Sequence, residues 1–293
     1  MRITNNVISR NALAGLQHSL RQVDEAQRRA TSGLRVETAS DDPAASTSIM
    51  ASASSLRAIE QYTRNINSAG ARLDNEETVL TSLTQILERA KQLGLAEGNG
   101  TASVQTRLVA KAEIDQLLQQ AIALGNTRHE GEYLFGGDQS GTIPFTTVTA
   151  PFAAAAPTGT RRAEISSGLS VRSNHNGSDV FLTSGVLQSL SDLSTALGAN
   201  ATAGITTSLT ALDAAHLNVQ VLTGEVGAAS SQLEVATANL HALDTSLRAF
   251  KSNLQDADLE KAVSELVARQ TAYQSAMLAT SRVMGLNLAE YMR

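Results

Sequence analysis

Asp41 and Asp42 are neighbouring carboxylates, a pairing that could supply the acid and the base of a catalytic site. Two adjacent residues just before a helix seldom face one substrate atom, and no histidine lies near them in the sequence. Pro43 follows directly, and proline is common at the first position of a helix because its missing N–H is not needed there. An aspartate before that position accepts hydrogen bonds from the first backbone N–H groups. We therefore predict that Asp41, Asp42 and Pro43 form a helix cap and hinge.

The other polar patterns also favour structural roles over catalysis. Residues 136–141 are glycine-rich but lack the Lys-Ser/Thr pair that holds nucleotide phosphates, so we predict a hairpin turn at Gly136-Gly137. No two histidines stand four residues apart, the spacing that would place a metal-binding pair on one helix face. Cysteine is absent, which removes thiolate nucleophiles and Cys-based metal sites. We predict no enzymatic activity, no metal and no cofactor.

The strongest pattern lies in the apolar residues at the two ends of the chain. In both places they recur at alternating spacings of three and four, which puts them on one stripe of a helix. Sustained over several turns, such a stripe forms a coiled-coil seam. Neither terminal helix can bury its stripe alone, so each needs the other, a neighbouring subunit, or both. The predicted assembly interface consists of Leu13, Leu16, Leu20, Val23 and Leu34 near the start and Leu259, Val263, Leu266, Tyr273 and Met277 near the end.

Helical patterns also dominate much of the chain between the two ends. They predict a second helix from Pro43 to about Gly94, a third over about 103–128, and a fourth starting at Val186. A Gly/Thr-rich break is expected at 198–208, followed by a long helix over about 210–254. The second helix has the strictest period, because isoleucine or leucine occupies every seventh position from 59 to 87.

The segment 136–181 interrupts this helical pattern. Proline and aromatic residues concentrate around it, and residues 169–172 alternate between apolar and polar types as strands do. Asn176-Gly177 is a typical hairpin turn, and Val180-Phe181-Leu182 would be the returning strand. We therefore predict a β-rich insertion at 136–181.

The expected fold is mainly α: an elongated helical bundle or coiled-coil rod with both termini at one end and a small β-rich insertion. Residues 1–42 and 255–293 would form a terminal coiled-coil assembly domain. Residues 43–135 and 182–254 would form a helical stalk domain, with 136–181 inserted into it.

Charge and hydropathy exclude two classes of partner. The net charge is −5 and the centre of the chain is acidic, whereas binding to nucleic acid needs a concentrated basic face. No stretch approaches the roughly 20 apolar residues that span a bilayer. The first residues carry no apolar core of signal-peptide length, so we expect neither membrane insertion nor a cleaved signal peptide.

The hinge and both ends of the chain resemble the bacterial flagellin family. Segments 32–36 (SGLRV) and 40–45 (SDDPAA) are similar to the family's N-terminal signature, and residues 1–5 (MRITN) resemble its start. The Asp-Asp-Pro turn, segment 132–137 (EYLFGG) and the ending 285–293 resemble the members that join hook to filament more than the filament-forming members.

The resemblance implies a non-enzymatic adaptor between hook-side and filament-side subunits. Its partners would be further copies of itself in a ring, a neighbouring hook-associated protein and flagellin, with an export chaperone as a candidate. It implies export through the flagellar type III route to the extracellular flagellum, with terminal helices that become ordered on assembly. A short flagellin that forms the filament itself is the first alternative, and a non-flagellar coiled-coil surface protein is the second.

Overall fold

The computed structural model describes the backbone of residues 2–291 and the side chains of residues 7 and 9–282. Within this range the chain forms six α-helices, which confirms the mainly α prediction. They are α1 (Arg2–Ser32), α2 (Pro43–Glu97), α3 (Val104–Gly125), α4 (Val186–Gly198), α5 (Thr202–Gln255) and α6 (Leu259–Tyr291). Four short strands form two antiparallel pairs, β1 (Arg128–His129) with β2 (Glu132–Tyr133) and β3 (Arg162–Ser166) with β4 (Leu169–Arg172).

The chain divides into two compact units. The first comprises Met1–Ala58 and Leu243–Arg293, and the second comprises Ile59–Ala242. In the first unit α1 packs against α6, and in the second unit α3 packs against α4.

The core of the second unit is built on two heptad rows. The row predicted on α2 is buried at every position, namely Ile59, Ile66, Leu73, Leu80 and Leu87. A second row on α5, which the sequence analysis did not identify, is buried in the same way, namely Ile205, Leu212, Val219, Val226, Leu233 and Leu240. The two helices contact each other through an ion pair of 2.5 Å between Lys91 Nζ and Asp213 Oδ1, and at Gly94, which lies against Leu209.

Three phenylalanines close the second unit next to the end of α3. Phe181 stands edge-on to Phe135 with 5.2 Å between ring centroids, and 5.1 Å separates it from Phe145. All three rings are at most 1% exposed. Phe181 belongs to a π-helical turn at Ser178–Thr183, so the predicted strand at 180–182 is wrong. The turn lets consecutive residues reach this cluster, whereas a strand would point every second one away.

The predicted hairpin turn at Asn176-Gly177 is also wrong. β3 and β4 are joined upstream of it, with Gly168 at a φ of 75°. Asn176 instead begins the π-helical turn, since its Oδ1 accepts a hydrogen bond from the N–H of Asp179. Gly177 is needed for close approach, because a Cβ there would lie 2.8 Å from the carbonyl oxygen of Phe135.

Two further loop predictions fail for local reasons. Gly136-Gly137 leads into a 3₁₀ turn at Gly137–Gln139, while the hairpin turn lies at Glu130-Gly131, where both φ angles are positive. The break predicted at 198–208 spans only residues 199–201. The threonines after it are tolerated in a helix because their hydroxyls donate to carbonyl oxygens four residues earlier, as at Thr206 and Thr207.

Replacing Gly125 with alanine should destabilise the second unit. The new Cβ would lie 2.6 Å from Phe145 Cδ2 and 3.3 Å from Phe181 Cζ, and buried rings cannot easily move aside. We expect the free energy of unfolding to fall by about 1–3 kcal/mol, measured by urea unfolding followed by circular dichroism. Gly224→Ala is the control, because a Cβ there meets nothing within 4 Å and alanine favours the helix. Equal stability of the two variants would show that the rings are not packed against Gly125.

Candidate assembly site

The two terminal helices bury only part of their predicted seam. Along α1 and α6, Ala26 and Ala262 are buried, and Arg269 Nη1 donates to Gln22 Oε1 at 3.1 Å across the pair. Half of the predicted interface residues are partly buried, namely Leu16, Val23, Leu34, Leu266 and Tyr273. The other half are 43–57% exposed, namely Leu13, Leu20, Leu259, Val263 and Met277. Each helix therefore presents apolar surface that its partner does not cover.

The exposed apolar surface extends beyond the predicted stripe. Val267 is 56% exposed and Leu278 is 65% exposed, and each directly follows an apolar stripe residue, Leu266 and Met277 respectively. Consecutive apolar residues in a heptad widen the apolar face, since they lie about 100° apart on the helix. This doubling was the sequence signal that could have predicted the wider apolar surface.

The loop after α1 and the loop between α5 and α6 pair with each other. Leu34 and Asp256 form an isolated antiparallel bridge, in which the N–H of Arg35 donates to Gln255 O at 2.7 Å. The N–H of Ala257 completes the bridge by donating to Gly33 O at 2.8 Å. We call this pairing of residues 33–36 with 254–257 the loop junction. It holds the end of α1 next to the start of α6. The segments that it joins are far apart in the sequence, since 219 positions separate Arg35 from Leu254.

Arg35 connects the loop junction to the start of α2. Its Nη2 donates to Leu254 O at 2.6 Å, and its Nη1 lies 3.2 Å from Asp42 Oδ2. Asp42 Oδ1 accepts from the N–H of Ala45 at 3.0 Å, which is an N-cap of α2. The hydrogen bond from the N–H of Ala45, followed by the one from the Arg35 guanidinium, lowers the pKa of Asp42 below its usual value.

Asp41 organises the loop itself and does not share a function with Asp42. Its Oδ2 accepts from the N–H of Thr38 at 2.7 Å and from the N–H of Glu37 at 3.1 Å. Those donors lower the pKa of Asp41 as well. Because each carboxylate is committed to a different backbone segment, the pair does not converge on one reacting atom. Asp42 thus caps α2 and Asp41 shapes the loop before it, whereas the role of this turn as a hinge stays a prediction.

A buried polar cluster in the second unit was not foreseen. His175 is 3% exposed, with Nδ1 2.6 Å from Glu76 Oε1 and Nε2 2.9 Å from Glu225 Oε2. The backbone N–H of His175 also donates to Glu76, which is fully buried. Burial by itself lowers the pKa of His175, but the hydrogen bond and charge of Glu76, with the hydrogen bond of Glu225, outweigh it and raise that pKa above its usual value. Glu76 stands between Leu73 and Leu80 on the apolar side of α2, and this misplaced acid was the available signal.

The described part of the chain carries neither a metal-binding cluster nor a membrane-spanning helix. There, no three His, Asp or Glu side chains converge as metal ligands. None of the helices described over residues 2–291 is long and apolar enough to cross a membrane.

Terminal helices that pair while leaving apolar stripes uncovered define a helical assembly protein. The chain belongs to the bacterial flagellin family: the N-terminal helical region of bacterial flagellin matches residues 3–140, and the C-terminal helical region matches residues 209–292. This is a family of flagellar structural proteins.

Known relatives of two kinds align with nearly the whole chain. Flagellar hook-associated protein 3 of Escherichia coli (strain K12) is 24% identical over 98% of this chain and 98% of its own length. The flagellin of Bacillus subtilis (strain 168) is 26% identical over 100% of both chains. The crystal structure of the flagellar junction protein from Legionella pneumophila superposes with a TM-score of 0.59 at 18% identity, covering 70% of this chain and 99% of that one. That similarity shows a shared fold.

Replacing Arg35 with alanine should loosen the loop junction without affecting the second unit. Loss of the bond to Leu254 O and of the contact with Asp42 removes the only side chain described here that joins both loops to the α2 cap. We expect faster backbone hydrogen exchange at 33–36 and 254–257, measured by mass spectrometry, with α3 and α4 unchanged. Arg28→Ala, which removes an exposed arginine from α1, is the matched control. Unchanged exchange in the Arg35 variant would mean that the backbone bridge alone holds the junction.

The histidine cluster should make the stability of the second unit depend on pH. Because the pKa of His175 is higher in the folded state than the unfolded value of about 6.5, protonation of His175 stabilises the fold. This stabilisation is complete below a pH of about 6.5 and is lost as the pH rises through the folded pKa. The free energy of unfolding should therefore decrease as pH rises above about 6.5, and His175→Gln should flatten this dependence. Thermal unfolding in a pH series measures it. His216→Gln, which alters a histidine bonded to Gln220 and outside the cluster, is the control variant.

Proposed function

We propose that this protein is a structural component of the bacterial flagellum that acts as an adaptor at the hook–filament junction. The observation that carries the proposal is the uncovered apolar stripe on α1 and α6. Residues 1–42 and 255–293 would serve as the assembly domain, residues 43–135 and 182–254 as the stalk, and residues 136–181 as the insertion. The protein would act without catalysis, cofactor or metal.

The stripe supports assembly because exposed leucine and valine at heptad spacing are costly in water. Leu13, Leu20, Leu259 and Val263 are each about half exposed, so burying the remainder contributes about 1 kcal/mol per side chain. Repeated along two helices and around a ring of identical subunits, this gain can offset the entropy lost on association. The charged residues on these helices are too exposed to specify such a seam strongly.

The choice of the junction over the filament is supported by the hinge and by the hook-associated relative. The Asp-Asp-Pro turn and the 132–137 segment resemble the junction members, and the Escherichia coli protein aligns with the chain from end to end. A short flagellin is the alternative, since the Bacillus subtilis flagellin aligns equally completely. Self-assembly of the purified protein under filament-forming conditions separates the two. Long filaments would establish the flagellin alternative, and soluble protein would support the junction.

The partners and location follow from the same proposal. The protein would form a ring with copies of itself and contact a neighbouring hook-associated protein on one side and flagellin on the other. It would be exported through the flagellar type III route without a cleaved signal peptide, with a chaperone as an export partner. Neither nucleic acid nor membrane insertion belongs to this role.

A charge placed on the exposed stripe should block assembly while leaving the folded chain stable. Leu13→Asp with Leu20→Asp adds two carboxylates to side chains that are 54% and 51% exposed, so the melting temperature should change little. In the assembled ring the same carboxylates would be buried without partners, which is strongly unfavourable. Cells relying on this variant should lose motility and release flagellin into the medium, as measured by swimming and by immunoblotting of the supernatant.

His18→Asp is the matched control because position 18 lies on the opposite side of α1 from Leu13 and Leu20. It should assemble and support motility. Normal motility of the double variant would overturn the assembly role of the stripe. A melting temperature lowered by many degrees would show that the stripe stabilises the single chain instead.

A further inference from the structure

We propose that a cleft lined by arginines in the second unit binds an oxyanion group, such as a phosphate or a carboxylate. The cleft has a volume of about 430 Å³ and lies between the first turns of α2 in this unit and the strand β3. Its lining includes four arginines, Arg64, Arg72, Arg161 and Arg162, and one carboxylate, Glu164. We call it the arginine cleft. Nothing in this inference depends on the assembly role of the terminal helices.

Arg72 is the strongest reason to expect a ligand in the arginine cleft. Its side chain is 6% exposed, and its buried Nε has no hydrogen-bond partner among the described residues. The carboxylate nearest to it is Glu132, whose Oε2 lies 3.7 Å from Nη1, which is beyond hydrogen-bond length. Burial, followed by the charge of Arg161, lowers the pKa of Arg72 below its usual value. A buried N–H without an acceptor is unfavourable, and a turn of the guanidinium towards an anion in the cleft would supply one.

Two of the other guanidinium groups of the arginine cleft have no carboxylate partner among the described residues. Arg161 is paired with Glu132 at 2.9 Å. Arg162 donates to Ser170 through Nε at 3.0 Å, and Arg64 donates to the neutral Gln61 at 2.7 Å, so neither is neutralised there.

Carboxylates offset part of the charge of the arginine cleft. Glu164 lines the cleft and Glu132 accepts the Arg161 pair, while Glu130 and Glu76 also act on Arg72 through their charges. Among the lining residues themselves, four guanidinium groups stand against the single carboxylate of Glu164. An anion that enters the cleft would contact these guanidinium groups directly, and attraction between opposite charges is strongest at short range.

The geometry of the donors defines the class of ligand. A guanidinium offers a planar fork of N–H groups that matches the oxygens of a carboxylate, sulfate or phosphate, and it retains its charge at every physiological pH. The arginine cleft holds several such forks, one of them rigidly buried. It is large enough for one oxyanion group and its immediate substituent. A monatomic anion such as chloride cannot bridge two forks in this way.

Titration of the full-length protein with sodium phosphate tests the proposal, with sodium chloride at matched ionic strength as the reference. We expect saturable binding by calorimetry and a shift of the Arg72 Nε–H signal in nuclear magnetic resonance spectra. Sodium acetate in a parallel titration distinguishes a carboxylate-selective cleft from a phosphate-selective one. Equal effects of phosphate, acetate and chloride would overturn the proposal, because they would indicate screening alone.

Two variants assign the binding to the arginine cleft. Arg72→Gln should weaken phosphate binding at least tenfold, but it alters a buried residue. Arg161→Gln changes a side chain that is 46% exposed and should fold normally while weakening binding by a similar factor. Arg57→Gln, which removes an exposed arginine of α2 that does not line the cleft, should bind as the unaltered protein does. Undiminished binding by the folded Arg161 variant would place the anion elsewhere and overturn the proposal.

Discussion

The first unit is governed by an imbalance between the apolar stripes of α1 and α6 and the surface available to cover them. The two helices pack together, but Leu13 and Leu20 stay about half exposed on one helix and Leu259 and Val263 on the other. A pair of helices can bury one stripe between them, whereas a wider apolar face needs a further neighbour. The proposed role in a flagellar ring supplies that neighbour, because identical subunits repeat the same stripe around the assembly.

The loop junction positions the terminal helices while part of their apolar surface stays exposed. Backbone hydrogen bonds between 33–36 and 254–257, with Arg35 contacting Asp42, hold the end of α1 next to the start of α6. The helices can then expose apolar surface without losing their relative position. Backbone pairing and capping stabilise this region. Because these interactions do not bury the stripe side chains, those side chains remain available for the proposed assembly.

The second unit obtains its order from a different source. Heptad rows on α2 and α5 are fully buried, so the unit has a complete apolar core of its own. Charged groups inside it are exceptional and specific: His175 is held between Glu76 and Glu225, whereas Arg72 lacks a matching acceptor. A buried donor without a partner is unfavourable, and the oxyanion proposed for the arginine cleft would supply an acceptor for Arg72.

Periodicity in the sequence determined the helices, because a repeat of three and four residues is a local property that no distant contact overrides over 30 or more residues. The cap at Asp42-Pro43 was determined in the same way, since its hydrogen bonds reach only three residues along the chain. Tertiary structure alone decided the π-helical turn at 178–183, the pairing of the two loops, and the meeting of Glu76 with His175 99 positions later. In each case the deciding partner is distant in sequence: Phe135 for Gly177 and Phe181, Gln255 for Arg35, and Glu76 for His175. Local propensity carries no information about such partners, so the loops and buried polar residues took their conformations from packing.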